Sequence, residues 1–156
     1  SHSVTWSVNN VAVGTGGASG SGVVTLATVG PFTILGKCTT NGSGTYYAQT
    51  YLRTSQAGSS ENDFAKSSYP SFGPTTTDLA TTQTGGTAVA GDVQIGFGSS
   101  GATAAFEGPN DGSTAAFSAD GRTYINSFEG DGVLVGGATA SAPCYFGGYA
   151  MSNAIA

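Results

Sequence analysis

Charged side chains are scarce in this chain. Asp, Glu, Lys and Arg make up only 8% of its 156 residues, against roughly 25% in an ordinary globular domain. The four basic residues are dispersed along the sequence, and the formal net charge is −5. Nucleic-acid backbones and anionic membrane surfaces are both bound by clustered Lys and Arg. This scarcity therefore excludes nucleic acid and an electrostatic membrane anchor as partners.

Histidine and long apolar runs are nearly absent as well. The only histidine is His2, whereas Ser-His-Asp and Cys-His catalysis both require a histidine base. Zinc sites built on imidazole are excluded for the same reason. No apolar stretch approaches the ~20 residues of a membrane-spanning helix, so we expect no membrane insertion. We expect residues 1–156 to form one domain, with residues 1–2 as a cloning remnant.

The chain has only two cysteines, Cys38 and Cys144. An even cysteine count in a chain rich in Thr, Ser and Gly indicates an oxidising compartment, so we expect a secreted or cell-surface protein. A Cys38–Cys144 disulfide would close a loop of about 107 residues and stabilise the fold by about 4–5 kcal/mol. The alternative is two buried free thiols. Two thiolates without a nearby histidine do not form a metal site, and we expect no cofactor.

What the chain does contain is typical of β-structure. Aromatic residues make up 10% of the sequence, glycine accounts for 26 residues, and Asp-Gly pairs begin at positions 111, 120 and 131. Asp-Gly favours the positive φ angles of tight hairpin turns, so this spacing predicts a series of hairpins. We predict an all-β fold, a two-sheet antiparallel sandwich that is jelly-roll-like and has about ten short strands.

The strands can be placed along the chain by alternation and by turn signals. We expect strands within residues 4–13, 23–29, 32–38, 45–54, 79–84, 87–97 and 143–151, and short ones between the Asp-Gly pairs. Residues 14–22 are glycine-rich and predict a flexible loop. Residues 55–74 predict a long irregular excursion, in which Ser60–Asp63 could cap a single helical turn.

One strand offers a candidate binding surface. In residues 45–54, Leu52 indicates that the face it shares with Thr50 points inward, and Arg53 indicates that the opposite face is exposed to solvent. Flat aromatic rings beside hydrogen-bonding side chains suit sugars or protein partners. The candidate ligand-binding residues are those of the Arg53 face, together with Tyr69 in the long loop: Tyr47, Gln49, Tyr51, Arg53 and Tyr69. The alternative is that both faces of the strand are covered and the row is core.

The acidic residues offer weaker candidates. Glu107 and Glu129, with Asp92 as a partner, could provide the two carboxylates of a glycosidase. Asp111, Asp120 and Asp131 are weak calcium candidates, because oxygen ligands suit calcium, although turn formation already explains Asp-Gly. Some cell-surface sandwiches form a Lys–Asn isopeptide bond between an early and a late strand, and here Lys37 lies on an early predicted strand and Asn153 just past the last one.

Parts of the chain resemble a family. Residues 30–39, Gly-Pro-Phe-Thr-Ile-Leu-Gly-Lys-Cys-Thr, followed by Asn41-Gly42, residues 47–54 and Cys-Tyr-Phe-Gly-Gly at 144–148, resemble uncharacterised secreted β-sandwich proteins of actinobacteria. The resemblance implies secretion and a disulfide between the two cysteine strands, and it implies no activity. The architecture is also similar to the jelly roll of C1q and tumour-necrosis-factor type, which is often trimeric, and fold does not transfer function.

These observations predict a non-enzymatic secreted or cell-surface module with a structural or adhesive role. In that interpretation an aromatic-rich sheet is buried against a protein partner or in a homo-oligomer. The alternative is a carbohydrate-binding module that uses exposed tyrosines. A carboxylate-dependent glycoside hydrolase is the third hypothesis.

Overall fold

The computed structural model describes residues 2–16, 18–63, 68–74, 91–101, 107–133 and 141–154. Every regular element in these ranges is a strand, which confirms the all-β prediction. The ten strands are β1 (His2–Val11), β2 (Val24–Val29), β3 (Phe32–Thr40), β4 (Thr45–Thr54), β5 (Ser59–Asp63), β6 (Ser71–Phe72), β7 (Val93–Gly101), β8 (Glu107–Phe117), β9 (Thr123–Val133) and β10 (Cys144–Ala154). The described residues contain no helix of the length and apolarity needed to span a membrane.

The strands form two antiparallel sheets. The larger sheet has the order β1-β10-β9-β8-β5-β6, and the smaller has the order β2-β3-β4-β7. The two-sheet sandwich is therefore confirmed. Its connections are simpler than the two Greek keys of a jelly roll, because β2-β3-β4 and β8-β9-β10 are each meanders of sequential neighbours.

The core lies between the inner faces of the two sheets. Strand alternation places one side chain in two on this face, and the largest apolar residues there are almost inaccessible to solvent: Phe32, Ile34, Leu52, Ile95, Ile125 and Phe146. Gly36 lacks a side chain where the Phe146 ring packs, since a Cβ at Gly36 would lie 3.1 Å from ring atoms. The sheets can therefore approach closely at this point.

The predicted disulfide is confirmed, and it joins the two sheets. Cys38 lies on β3 and Cys144 on β10, with an S–S distance of 2.09 Å and a Cα–Cα distance of 5.8 Å. Both cysteines are buried within the apolar core. The bond therefore ties the middle of the small sheet to the large sheet through the interior.

Of the three predicted Asp-Gly turns, only the middle one is correct. Asp120-Gly121 forms the β8–β9 turn, where Gly121 has a φ of +71° and its amide donates to the Ser118 carbonyl at 2.9 Å. Asp111-Gly112 lies inside β8 and Asp131-Gly132 lies inside β9, so both of these turn predictions are wrong.

Close packing explains the glycine at position 132. A Cβ on Gly132 would lie 2.0 Å from the Tyr145 hydroxyl of β10, so a glycine is needed there to admit this side chain. The preceding Asp131 points into the sandwich and accepts a hydrogen bond from the Thr50 hydroxyl. Asp-Gly therefore forms a turn at residues 120–121, whereas at residues 131–132 the same dipeptide lies within a strand and makes cross-strand contacts.

One other local prediction is corrected. Ser60–Asp63 belongs to β5 and pairs with β8, so it is a strand and not a helical turn. The predicted strand at 79–84, residues 87–90 of the next one and residues 134–135 lie outside the described residues. The predicted strands at 45–54, 23–29 and 32–38 agree with β4, β2 and β3 within two residues.

Candidate functional site

The predicted binding row on β4 is largely covered. Thr50 and Leu52 point inward as expected, but Tyr51 on the opposite face is 0% exposed and packs against Ala18 and Leu35. The expectation of a continuous exposed row is therefore wrong at Tyr51. The reason is that the glycine-rich segment folds back over this face of the small sheet.

Arg53 helps to hold the glycine-rich segment over this face of the small sheet. Its guanidinium contacts Asp92 at 2.7 Å and donates a second hydrogen bond to this carboxylate through Nε at 3.0 Å. It also donates to the Ala18 carbonyl at 3.3 Å. Arg53 therefore acts as a structural clamp between the start of β7 and the glycine-rich segment.

The glycine-rich segment is a loop without helix or strand in its described residues, as predicted, and specific contacts hold it against the small sheet. The Gly14 amide donates to the Cys38 carbonyl at 2.8 Å, and the buried Lys37 ammonium donates to the Thr15 carbonyl. A Cβ on Gly20 would lie 1.6 Å from the Thr15 carbonyl oxygen and 2.6 Å from Lys37 Nζ. The chain can close here only because position 20 has no side chain.

The exposed aromatic residues instead collect on the outer face of the six-stranded sheet. The larger exposed hydrophobic side chains of the described residues are Tyr69, Phe117, Phe128, Tyr149 and Met151, each 37–50% exposed. Groups of exposed apolar side chains are typical of interaction surfaces. This face, and not the Tyr47 row, is therefore the candidate functional site.

Strand register arranges the aromatic residues in two rows that cross the strands. In the first row Tyr149 of β10 is paired with Phe128 of β9, and the rings stack with centroids 6.0 Å apart. In the second row Tyr124 of β9 is paired with Phe117 of β8, with centroids 4.7 Å apart. Tyr124 and Phe128 are four residues apart on β9, so the rows are separated by about 13 Å.

Between the aromatic rows runs a line of smaller and polar residues. Met151 pairs with Asn126 across β10 and β9, Asn126 pairs with Ala115 across β9 and β8, and Ala115 pairs with Asn62 across β8 and β5. These four residues form the floor of a strip of the sheet surface that lies between the two aromatic rows. We call this strip the trough. From β10 to β5 it crosses three strand spacings, about 14 Å.

Two cavities lie along the trough and share Asn126. One, of about 520 Å³, is lined by Tyr149, Tyr124 and Met151 at the β10 side. The other, of about 210 Å³, is lined by Asn62 and Ala115 at the β5 side. Asn126 lines both cavities and therefore lies at the centre of the trough.

Tyr69, a candidate ligand-binding residue in the sequence, extends the second aromatic row. Its ring meets Phe117 edge-on with centroids 5.7 Å apart, it is 48% exposed, and it lines the β5 end of the trough. Its role as a ligand-binding residue stays a prediction. Its neighbours, however, are the aromatic residues of β8 and β9, not the β4 row with which it was grouped.

The polar groups of the trough are amides and hydroxyls. The Asn126 amide donates to the Tyr124 hydroxyl at 3.4 Å, while Asn62 Oδ1 has no hydrogen-bond partner among the described residues. Of the described residues that line the two cavities, only Asp63 is charged, and it is 6% exposed. The trough is therefore uncharged over most of its surface.

The described side chains among the predicted catalytic candidates, Glu129 and Asp92, are buried and do not form an accessible site. Glu129 is 0% exposed in the middle of β9, between the sheets, so a substrate in solution cannot reach it. Burial raises its pKa well above the ordinary value, although a hydrogen bond from Ser127 opposes this rise. The side chain of Glu107 lies outside the described residues, and Asp92 is engaged by Arg53.

Two of the three calcium candidates, Asp120 and Asp131, lie far apart. Asp120 lies in the turn before β9 and Asp131 lies eleven positions later near its end, which separates them by about 35 Å. Hydrogen bonds from the Ser118 hydroxyl, the Arg122 amide and Gln56 lower the pKa of Asp120, as expected for a turn carboxylate. The Asp111 side chain lies outside the described residues.

Lys37 and Asn153 are also apart. Lys37 lies beneath the glycine-rich segment on the small sheet, whereas Asn153 is on β10 of the large sheet and lines the trough. Their placement on different sheet faces does not support the isopeptide hypothesis.

Sequence reasoning missed the trough although a signal was present. Tyr124, Asn126 and Phe128 alternate along β9, and Tyr149, Met151 and Asn153 alternate along β10, as expected for one solvent-facing side of a sheet. Comparison of the chain with protein-family models, with curated proteins and with solved structures finds no match in any of the three.

Proposed function

We propose that this protein is a secreted, non-catalytic module that binds a linear, uncharged polysaccharide in the trough. The observation that carries the proposal is the pair of aromatic rows, Tyr149-Phe128 and Tyr124-Phe117, on either side of a floor that contains Asn126 and Asn62. Aromatic rings provide flat apolar surfaces for the C–H faces of sugar rings, and a few placed polar groups provide orientation.

The dimensions favour a chain over a single sugar. The trough runs across β10, β9, β8 and β5, and each strand spacing of about 4.8 Å is close to the length of one pyranose unit. Each strand contributes a different side chain to the trough, so successive sugar units would contact different residues. A polysaccharide chain lying perpendicular to the strands would therefore occupy three to four subsites, on the order of one per strand.

Charge favours an uncharged ligand. The protein carries a net charge of −5, and no Lys or Arg is among the described residues that line the trough cavities. An acidic polysaccharide such as a polyuronate would meet no compensating cation among these described residues and would be repelled at long range by the net charge of the protein. The expected ligands are therefore neutral glycans such as glucans, mannans or xylans.

The test is a binding titration with cellohexaose, mannohexaose, xylohexaose and, as an acidic comparison, a galacturonic-acid hexamer. We expect at least one neutral hexamer to bind and the acidic hexamer not to bind. Tyr149→Ala should weaken binding at least tenfold, while Tyr149→Phe, which keeps the ring, should bind within about threefold of the wild type. Preferred binding of the acidic hexamer, or equal affinities of the Ala and Phe variants, would contradict the proposal.

A second candidate function uses the same face for assembly. Phe128, Tyr149 and Met151 are neighbouring exposed apolar side chains, and such a patch could be buried in a homo-oligomer of an adhesive module. Size-exclusion chromatography with light scattering at increasing concentration measures this directly. A dimer that Phe128→Ser disrupts and that neutral hexamers leave intact would favour assembly over sugar binding.

A further inference from the structure

A second groove lies on the opposite side of the sandwich. It runs between the glycine-rich segment and the outer face of β3 and β4, has a volume of about 540 Å³, and is lined by Thr15, Thr39, Thr40, Tyr47 and Gln49 among others. We call it the loop groove. It contains two of the three residues of the predicted β4 row that remain partly exposed, Tyr47 and Gln49; the third is Arg53.

Buried contacts fix the orientation of the Gln49 amide. The Tyr51 hydroxyl donates to Gln49 Oε1 at 3.2 Å, and the Thr39 hydroxyl donates to the same oxygen at 3.5 Å. Tyr51 is itself fully buried, so its hydroxyl is held in place by the packing of its ring. Because the carbonyl oxygen is turned towards these two donors, the amide NH₂ of Gln49 is available to the loop groove.

The wall opposite Gln49 is also held in place. Thr15 is anchored from below by Lys37, which donates to its carbonyl, and from the side by Ser21, whose hydroxyl accepts from the Thr15 amide at 2.9 Å. The groove is thus bounded by an ordered segment on one side and by a sheet on the other. A preorganised groove loses less conformational entropy when a ligand binds than a mobile loop would.

We propose that the loop groove is a second sugar-binding site, which accommodates a short stretch of an uncharged glycan. The ring of Tyr47 supplies the stacking surface, the Gln49 amide donates to a sugar oxygen, and the hydroxyls of Thr39 and Thr40 contact the ring hydroxyls. The ligand class rests on the proposed function, but the groove and its residues are separate from the trough.

Two sites on opposite faces would make the module bivalent. The trough lies on the outer side of the large sheet and the loop groove on the outer side of the small sheet, so the two stacked sheets, about 10 Å apart, separate them. One module could then hold two polysaccharide chains, and many modules could cross-link them with an avidity above that of either site. This arrangement would join the adhesive and carbohydrate-binding hypotheses in one molecule.

The loop groove is tested in the double variant Tyr124→Ala, Tyr149→Ala, whose trough lacks both tyrosines and should no longer bind sugar. The side-chain NH₂ signals of Gln49 are followed by NMR while cellohexaose, mannohexaose or xylohexaose is added. We expect a saturable shift of the Gln49 signals with at least one hexamer. Adding Tyr47→Ala should abolish this shift, and adding Tyr47→Phe should retain it.

The outcomes separate the two sites. Shifts at Gln49 without any trough binding in the wild type would support the loop groove and reject the trough. Trough binding in the wild type with unchanged Gln49 signals in the double variant would overturn the second site and leave the proposed function standing. Unchanged spectra with all three hexamers in both proteins would overturn both.

Cross-linking gives an independent readout. Wild-type protein mixed with soluble glucomannan or arabinoxylan should increase turbidity, with a maximum at intermediate protein concentration. Tyr47→Ala alone should remove the turbidity while the trough affinity for hexamers stays within about twofold of the wild type. Turbidity that persists in Tyr47→Ala would contradict a bridging role for the loop groove.

Discussion

The stability of this protein should fall as the pH rises, because of the buried carboxyl of Asp131. Burial raises the pKa of Asp131 from 3.8 to about 7, although the hydrogen bond from Thr50 acts in the opposite direction. In the unfolded chain this carboxyl loses its proton near its ordinary pKa, whereas in the folded protein it keeps the proton up to about pH 7. Folding therefore takes up a proton between about pH 4 and pH 7, and low pH favours the folded state.

The size of the effect follows from the difference between the two pKa values. About three pH units at about 1.4 kcal/mol per unit give a loss of about 4 kcal/mol in the free energy of unfolding. The loss begins above the unfolded pKa and is complete just above pH 7. Glu129 acts in the same direction, because burial raises its pKa well above the ordinary value and the neighbouring Asp131 and Asp63 raise it further.

The assay is urea unfolding of the wild type and of Asp131→Asn at pH 4, 6 and 8. Asn has the shape of Asp and retains an oxygen that accepts from Thr50, so the variant removes the titration and keeps the contact. We expect the two proteins to agree within about 1 kcal/mol at pH 4 and the variant to be more stable by up to about 4 kcal/mol at pH 8.

The matched control is Asp120→Asn in the exposed β8–β9 turn. The pKa of Asp120 is lowered in the folded state by hydrogen bonds from Ser118 and Arg122. Its charged form therefore favours folding at high pH, and the control variant should gain nothing at pH 8. Equal pH dependence in the wild type and in Asp131→Asn would refute the reasoning about the buried carboxyl.

Three further predictions concern the scaffold. Replacing both Cys38 and Cys144 with Ser should lower the free energy of unfolding by about 4–5 kcal/mol, measured by urea unfolding against the oxidised wild type. Gly20→Ala should release the glycine-rich segment, since its Cβ has no room beside the Thr15 carbonyl, and faster amide exchange at Gly14 should report this release, while unchanged exchange would count against it. Gly132→Ala should displace the Tyr145 ring and lower the thermal midpoint, whereas an unchanged midpoint would show that the ring moves aside without cost.

The fold was accessible from the sequence wherever a strand showed a clear alternation or a clear boundary. β4 was predicted at its observed bounds because Leu52 and Arg53 differ strongly in polarity and Asn41-Gly42 precedes the strand. The disulfide was also accessible, since its two cysteines lie on an early and a late strand. Local signals of this kind depend on neighbouring residues only, and no knowledge of the tertiary structure is needed to interpret them.

The candidate site was harder to predict from the sequence, because tertiary contacts determine which of its residues are exposed. Nothing local to Tyr51 shows that the segment around Ala18 will cover it, and that cover depends on Lys37 and Arg53 reaching carbonyls more than twenty residues away in the sequence. Asp131-Gly132 is the same dipeptide as the Asp120-Gly121 turn. Its extended conformation is explained by the contact with the Tyr145 ring, which belongs to another strand. The trough required the register of four strands, which the sequence does not specify by itself.

The most direct test of the account is a crystal structure of the protein with the neutral hexasaccharide that binds most tightly in the titration. We predict that the sugar chain lies in the trough, perpendicular to β9 and β10, with rings against Tyr149 and Tyr124 and a hydrogen bond to Asn126. A chain bound elsewhere, or a trough filled by a second copy of the protein that excludes sugar, would contradict the central claim.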